Sequence, residues 1–209
     1  MKIQGISTQT LRRLPYYLNY LVSCVSDGGY ISAAAVASAL NLNEVQVRKD
    51  LATVCQVRGV PKKGFPVGEL IEGLRDCLGQ NNVHDAILVG AGNLGRALLS
   101  YKGFEQYGLN IVAAFDIKEG NANGKKIFPL EKLPDIIKRL SIKIAVITVP
   151  GDVAQQVCDI LTSNGILAVW NFAPAHLTVP EGVLVQNENM ASSLAVLSNH
   201  LKSRMEGSE

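Results

Sequence analysis

Apolar residues first recur at Leu11, Leu14, Leu18, Leu21 and Val25, a spacing of three and four that predicts one buried face of a helix running towards Asp27. Pro15 marks either a first helical position or a kink in it, and Asp27-Gly28-Gly29 stops it. Ser32 is a suitable N-cap for a short helix from Ala33 to Leu40, whose small residues let a second helix approach closely. After a tight break at Asn41-Leu42, Asn43 caps a third helix. Gln46 completes a pair of the capping-box kind there, and Val47, Leu51 and Val54 form the buried stripe. A fourth helix, Val67 to Leu78, places Leu70, Ile71, Leu74, Cys77 and Leu78 on one side.

The pattern then changes. Ala86 to Val89, Ile111 to Phe115, Ile144 to Thr148 and Ile166 to Val169 are short, unbroken apolar runs, the mark of strands buried on both faces. A helix from Asp152 to Ser163 separates the last two, and alternation of strands with helices predicts a parallel, doubly wound sheet. A further strand-like run, Val183 to Val185, precedes a final helix from Asn189 to about Met205 with Leu194, Leu197 and Leu201 on one face. That helix is either a dimerisation or swapped element or one packed back on its own sheet.

Composition narrows the class. With 209 residues, 47% of them apolar, the chain has core enough for a small domain joined to a medium one. Its longest apolar runs are of strand length, far short of the roughly 20 residues that span a bilayer, so no membrane partner is expected. The opening MKIQGISTQTLRRLPYY has no apolar core of a signal peptide and no small-residue cleavage site, and the expected location is the cytoplasm. Cys24, Cys55, Cys77 and Cys158 form no CxxC pair and sit among apolar neighbours, as buried thiols do; His84, His176 and His200 have no ligand spacing, so no metal is expected.

Charge is uneven. Residues 1–79 hold nine Lys and Arg against six Asp and Glu, whereas residues 80–209 hold eleven against twelve, so the positive excess lies in the N-terminal third. Two helices joined by a short turn are the plan of a helix-turn-helix, and the outward positions of the second are Gln46, Arg48, Lys49, Asp50 and Thr53. Arg and Gln side chains read guanine and adenine edges, and Lys suits phosphate. The same positions also describe the solvated face of an ordinary helical bundle. The stretch QVRGVPKKGFPV, Gln56 to Val67, favours the first reading, because a basic hairpin tipped by Lys62-Lys63-Gly64 is a wing that sets Arg58, Lys62 and Lys63 beside phosphates or the minor groove.

The strand at Ala86 to Val89 runs into Gly90-Ala91-Gly92-Asn93-Leu94-Gly95 and then a helical pattern. In this setting the first glycine permits the tight turn, the second lets backbone approach a pyrophosphate and the third lets helix pack on strand. The next strand ends at Asp116, followed by Ile117 and Lys118, where a carboxylate accepts ribose hydroxyls and repels a 2'-phosphate; NAD(H) is therefore expected over NADP(H), with Lys118 the one feature that blurs this. Ligands of such sheets sit beyond the carboxyl ends of strands, which makes Thr148-Val149-Pro150 and Asn171-Phe172-Ala173-Pro174 the expected rim.

These segments, in order, resemble the Rex family of redox-sensing transcriptional repressors over nearly the whole chain: RRLPYYLNYL at Arg12 to Leu21, VQVRKDL at Val45 to Leu51, VGAGNLGRAL at Val89 to Leu98, YKGF at Tyr101 to Phe104, FDI at Phe115 to Ile117, TVP at Thr148 to Pro150 and NFAPAHLTVP at Asn171 to Pro180. The resemblance implies a winged-helix domain over 1–79, a Rossmann domain for NADH or NAD+ over 80–188, and a C-terminal helix over 189–209 exchanged within a homodimer. It also implies a double-stranded, inverted-repeat operator of fermentation or respiration genes, released by NADH. By position it puts Arg48 and Lys49 in the recognition helix, Gly90, Gly92 and Gly95 on the pyrophosphate, Asp116 on the ribose and Tyr101 near the nicotinamide. The chain departs from the family pattern in the wing, at Asn189-Met190 and at Asn19, where many members carry an Arg. Two readings of other classes are an NAD-dependent dehydrogenase, with His176 as acid or base and Lys118 or Arg96 as substrate anchor, and a CoA-binding module. The first lacks a segment long enough for a substrate domain, and the acid at Asp116 opposes the second.

Overall fold

The computed structural model describes residues 6–24, 29–54, 59–60, 63–79 and 84–206. Arg58, Lys62, Cys55, Val25 and Asp27-Gly28, named above, lie outside the described residues, as do residues 80–83 between the two expected domains and the side chain of Cys24. The chain divides into two compact units, Met1–Val83 with Glu105–Gly108, and His84–Phe104 with Leu109–Glu209.

In the first unit helix α1 spans Thr8–Cys24. It starts where the Ser7 hydroxyl accepts the Thr10 N–H at 3.1 Å. Pro15 sits inside this helix rather than at its first position. The helix α2, Ala33–Leu40, is capped by the Ser32 hydroxyl, which accepts the Ala35 N–H at 3.1 Å. It ends on Asn41 in the left-handed conformation at φ 52°. That turn delivers Asn43 to the start of α3, Glu44–Val54, where its Oδ1 accepts the Gln46 N–H at 3.2 Å. Helix α4, Val67–Cys77, closes the unit. Leu14, Tyr17, Leu21, Val36, Val47, Leu51, Leu70 and Leu74, drawn from all four helices, are fully buried together.

Two expectations for this unit need correction. Asp50 is not an outward residue of α3, being only 3% exposed, because it lies on the same stripe as Val47 and Val54. The Gln46 side chain does not return to the backbone of Asn43 to complete a capping box; its Nε2 donates to Asp50 Oδ1 at 3.0 Å. The wing, whose first arm at 56–58 lies outside the described residues, extends past its own hairpin. Its tip is closed by a bridge between Val60 and Gly64, and strand β2, Phe65–Pro66, pairs antiparallel with β1, Tyr30–Ile31, from the other side of the α2–α3 pair.

The second unit is a seven-stranded sheet of order β5-β6-β4-β3-β7-β8-β9. Its strands are β3 (His84–Val89), β4 (Leu109–Asp116), β5 (Gly120–Ala122), β6 (Lys125–Pro129), β7 (Ile144–Ile147), β8 (Ala168–Asn171) and β9 (Leu184–Asn187). Every pairing is parallel except β5 with β6, an antiparallel edge hairpin the sequence patterns did not reveal. Strand β8 also begins two residues later than Ile166, because its register is set by pairing Ala168 with Ile144.

Alternate residues feed two cores. Ile87, Val89, Ala113 and Phe115 pack against α6 (Leu133–Arg139) and α7 (Gly151–Ser163), while Leu88, Ala114 and Val146 face Leu99 of α5, Asn93–Ser100. The chain runs outward from β3 through β4 to the β5-β6 edge, then crosses back to β7. The strand order reverses between β3 and β7, and a crevice is left at their carboxyl ends. Helix α8, Met190–Glu206, follows β9 and is capped by Asn189 Oδ1, which accepts the Ser192 N–H at 3.0 Å. Among the described residues no helix is long and apolar enough to cross a membrane, and no group of three His, Cys, Asp or Glu could hold a metal ion.

Candidate functional site

The turn between β3 and α5 is built around three glycines with three different surroundings. Gly90 has φ +103°, and a Cβ there would lie 2.8 Å from the Thr148 backbone. Gly95 is pressed onto the turn, where a Cβ would lie 1.9 Å from the Gly90 carbonyl oxygen and 2.9 Å from Thr148 Oγ1. Gly92 has an ordinary φ of −71°, and an added Cβ would meet nothing within 4 Å. Its lack of a side chain serves no contact within the chain and leaves open space at the N-terminus of α5. Gly92 is the N-cap of α5, and the N–H groups of Asn93, Leu94 and Gly95 fall in the first turn, ahead of the first intrahelical bond from Arg96 N–H to Gly92 O at 2.9 Å. Such an end attracts an anion.

The turn is held from three sides. Thr148, at the end of β7, donates its hydroxyl to Gly90 O at 2.6 Å. Arg96 Nε donates to Ala91 O at 2.8 Å. The Ala91 N–H donates to Asp116 Oδ2 at 2.6 Å, so the carboxylate at the end of β4 is fixed against the glycine-rich turn.

The turn borders a cavity of about 750 Å³ at the β3–β7 crevice, within the size range of small-molecule sites. Gly90, Gly92, Leu94, Asp116, Ile117, Thr148, Val149, Pro150, Phe172 and Pro174 of the expected set line it. Ala91, Asn93, Gly95, Lys118, Tyr101, Asn171 and Ala173 do not. Asn171 is 1% exposed and spent internally: its Nδ2 donates to Ala175 O and to Asn187 Oδ1, each at 2.9 Å, and its Oδ1 accepts the Ala173 N–H, so it shapes the rim from beneath. Tyr101 is 59% exposed and begins a row of aromatic contacts through Phe104 and Trp170 to Phe172, at centroid spacings of 4.8, 5.3 and 4.8 Å. The sequence reading missed the far wall, made by Leu130, Asp152, Val153, Gln156, Val157 and Ile160. A helix following directly on Pro150 was its available signal, since the first turns of α7 must face the crevice.

On the first unit, Gln46, Arg48, Lys49 and Thr53 are all exposed on α3. Arg48 is paired with Glu44 one turn earlier, and Thr53 bonds back to Lys49 O at 2.8 Å. Lys63 Nζ lies 5.7 Å above the Tyr30 ring. Beneath this face, Asp50 accepts five hydrogen bonds. Its Oδ2 takes Arg13 Nε at 2.7 Å and the Tyr17 hydroxyl at 2.8 Å. Its Oδ1 takes Arg13 Nη2 and Thr10 Oγ1, each at 3.1 Å, and Gln46 Nε2 at 3.0 Å. Burial alone would push the Asp50 carboxyl up, but the bonds from Arg13, Tyr17 and Gln46 outweigh it and hold it below its ordinary value. Burial and the neighbouring carboxylate push Tyr17 up to about 12.

The signs of these shifts predict two limits of stability. Tyr17 contributes fully below its unfolded value near 10 and is lost as pH rises through about 12. Asp50 contributes above the unfolded carboxylate value and is lost as pH falls through its lower folded one. Urea midpoints should fall steeply between pH 10 and 12 in the native chain. Tyr17→Phe should start about 1 kcal/mol lower and lack that component of the alkaline fall.

Comparison with known proteins places this arrangement. Residues 81–175 match the family model described as "CoA binding domain" and residues 5–52 the one described as "Putative DNA-binding protein N-terminus". The redox-sensing transcriptional repressor Rex of Treponema denticola is 41% identical over 194 residues, covering 90% of this chain and 91% of that one. The Porphyromonas gingivalis protein of the same name is 39% identical over 199 residues, covering 93% and 91%. The chain belongs to the Rex family of redox-sensing transcriptional repressors. Solved structures agree with that membership. RSP in complex with beta-NAD+ and operator DNA is 32% identical with a TM-score of 0.89, covering 98% of this chain and 96% of that one. RSP in complex with beta-NADH is 32% identical with a TM-score of 0.84, covering 97% of each chain.

Proposed function

We propose that this Rex-family chain is a cytoplasmic homodimeric repressor that grips an inverted-repeat operator of fermentation or respiration genes through α3 and the wing, holds NAD(H) in the β3–β7 crevice, and lets go of the operator when the cofactor is reduced. Gly92 carries the reading: the space beside it is clear, it lies at the N-terminus of α5, and Asp116 stands beside it. A diphosphate fits that position, with the first-turn N–H groups of α5 as donors. Asp116 accepts ribose hydroxyls, and the apolar wall of Val149, Val153 and Ile160 takes a flat base. The bound nicotinamide contributes only its oxidation state as a signal.

On α3, Lys49 and Arg48 meet phosphates and base edges, with Gln46 beside them, while Lys63 follows the backbone from the wing. Arg58 and Lys62 are assigned to the wing on sequence grounds. Tyr101, at the head of the aromatic row, is assigned to the nicotinamide end. Ala91, Asn93, Leu94 and Gly95 complete the cradle, Ile117 and Lys118 flank the ribose, and Pro150, Phe172 and Ala173 shape its rim, held by Asn171.

Dimerisation is assigned to α8. Leu194, Leu197, Leu201 and Met205 form a stripe of which each residue is more than half exposed, a surface that a second copy covers. Leu197→Glu with Leu201→Glu is expected to give a monomer in sedimentation equilibrium and to lose operator binding, since both half-sites must be held together. A double variant that remains dimeric would remove α8 from the interface.

The chain is read as a sensor rather than a catalyst. His176, the acid or base a dehydrogenase would need, is not in the lining of the Asp116 cavity; it lines an adjoining hollow with Glu188 and Asn189, which shares Phe172 and Pro174 with that cavity. Swinging operator occupancy from nearly full to nearly empty requires a preference of about 5.5 kcal/mol between the two states. Gel shift on a duplex from the chain's own promoter should show release by NADH and none by NAD+, and calorimetry should show uptake of NADH but not of CoA, whose 3'-phosphate Asp116 opposes. Equal ineffectiveness of NADH and NAD+ would end the switch; uptake of CoA in place of NADH would end the cofactor assignment.

A further inference from the structure

We infer that Asp50 is a positioning residue for sequence recognition, which orients the Gln46 amide towards an adenine edge; this rests on the DNA-binding reading above. A residue buried to 3% exposure on the recognition helix cannot itself reach DNA. Its Oδ1, however, accepts Gln46 Nε2 at 3.0 Å, and Gln46 is on the exposed side of the same helix, one turn earlier. A carboxylate accepts only, so the amide nitrogen must face it and the amide is not free to flip. With one N–H spent on Asp50, Gln46 presents Oε1 together with its second N–H. That pair matches the N6 donor and N7 acceptor of adenine in the major groove.

The carboxylate is itself held in place. Arg13 Nε and Nη2, Thr10 Oγ1 and the Tyr17 hydroxyl reach it from α1 at 2.7 to 3.1 Å, so the amide direction is referenced to the body of the unit and not to α3 alone. By contrast Arg48 is paired to Glu44 on the surface, an exposed link that DNA phosphates can readily replace. Among the outward residues of α3, Gln46 is thus the one whose head group is set in direction by a buried partner.

The test is selection of full-length chain on a randomised duplex pool, reading base preference at each position for the native chain, Gln46→Ala, Asp50→Asn, Arg13→Lys and Tyr17→Phe. The native chain should select adenine at one position of each half-site. Gln46→Ala and Asp50→Asn should both flatten that same position by about five- to tenfold and leave the others, a change of about 1 to 1.4 kcal/mol at RT of 0.59 kcal/mol. Arg13→Lys keeps the charge beside Asp50 and gives up the fork, so it should flatten the position partly; it serves where Asp50→Asn does not fold. Tyr17→Phe removes one bond to the far oxygen and should lower thermal stability with the preference profile unchanged. Uniform weakening by Asp50→Asn and Arg13→Lys, with Gln46→Ala alone flattening a position, would reduce Asp50 to a structural role and overturn the inference. Selection of no duplex by the native chain would instead overturn the DNA-binding reading, and the inference with it.

Discussion

Gly92→Asp is expected to abolish NADH binding while leaving the fold as stable as before or slightly more so. The two effects have opposite signs because the substitution acts on opposite sides of one backbone position. Within the chain, Gly92 caps α5 without a side-chain bond, its φ of −71° suits any residue, and a Cβ there touches nothing within 4 Å. Aspartate is among the best N-caps, and its charge complements the helix dipole, so a gain of a few tenths to about 1 kcal/mol follows. Towards a ligand, the carboxylate would stand against the diphosphate. Two unit charges about 4 Å apart repel by about 4 kcal/mol at an effective dielectric constant of about 20, which predicts an affinity loss of at least about 100-fold. Calorimetry with NADH beside a thermal melt separates the two. Binding within threefold of the native chain would show that this turn does not hold the cofactor.

Gly95→Ala, three residues later, should do the reverse and damage the fold first. Its Cβ would be placed 1.9 Å from the Gly90 carbonyl oxygen and 2.9 Å from Thr148 Oγ1. Neither neighbour is the loose end of a flexible side chain: one is backbone, and the other is the hydroxyl that bonds to Gly90 O at 2.6 Å. Helix α5 must therefore shift off the sheet, at a cost of about 3 kcal/mol, or roughly 10 °C in the melting temperature of this unit. Gly92→Ala, as the matched control, should lose no more than the small difference between alanine and glycine as caps. A melt of Gly95→Ala within 2 °C of the native one would mean that α5 does not pack as closely as the structure has it.

How far each feature was legible in the sequence depended on how local its cause was. The caps at Ser32 and Asn43 and the turn at Asn41 rest on bonds spanning a few residues, and all three are found where the residue types placed them. The glycine triplet and Asp116 follow from a spacing that the strand–turn–helix unit imposes, and the structure joins them through Ala91 N–H. The segment from 117 to 143 defeated the pattern. Its β5-β6 hairpin and α6 are short and interrupted by Gly124, Pro129 and Pro134, and they are stable because β6 adds to the edge of β4 and α6 covers Phe115. The pairing of the wing strand β2 with Tyr30–Ile31 was not legible for a similar reason, since it joins segments on either side of α2 and α3.

Asp50 shows the division most sharply. As one charged residue among Gln46, Arg48, Lys49 and Thr53 it reads as solvent-facing, and only the crossing of α1 over α3 brings Arg13, 37 positions away, to within 2.7 Å and makes burial tolerable. The amino-acid order by itself determined the two-part plan, the glycine-rich turn and the acid beside it, because backbone conformation and helix periodicity act over a handful of residues. Tertiary structure decided which carboxylate is buried, which side chains wall the cavity from α7 and Leu130, and which direction Gln46 faces, because burial and hydrogen bonding between distant segments exist only once those segments have packed.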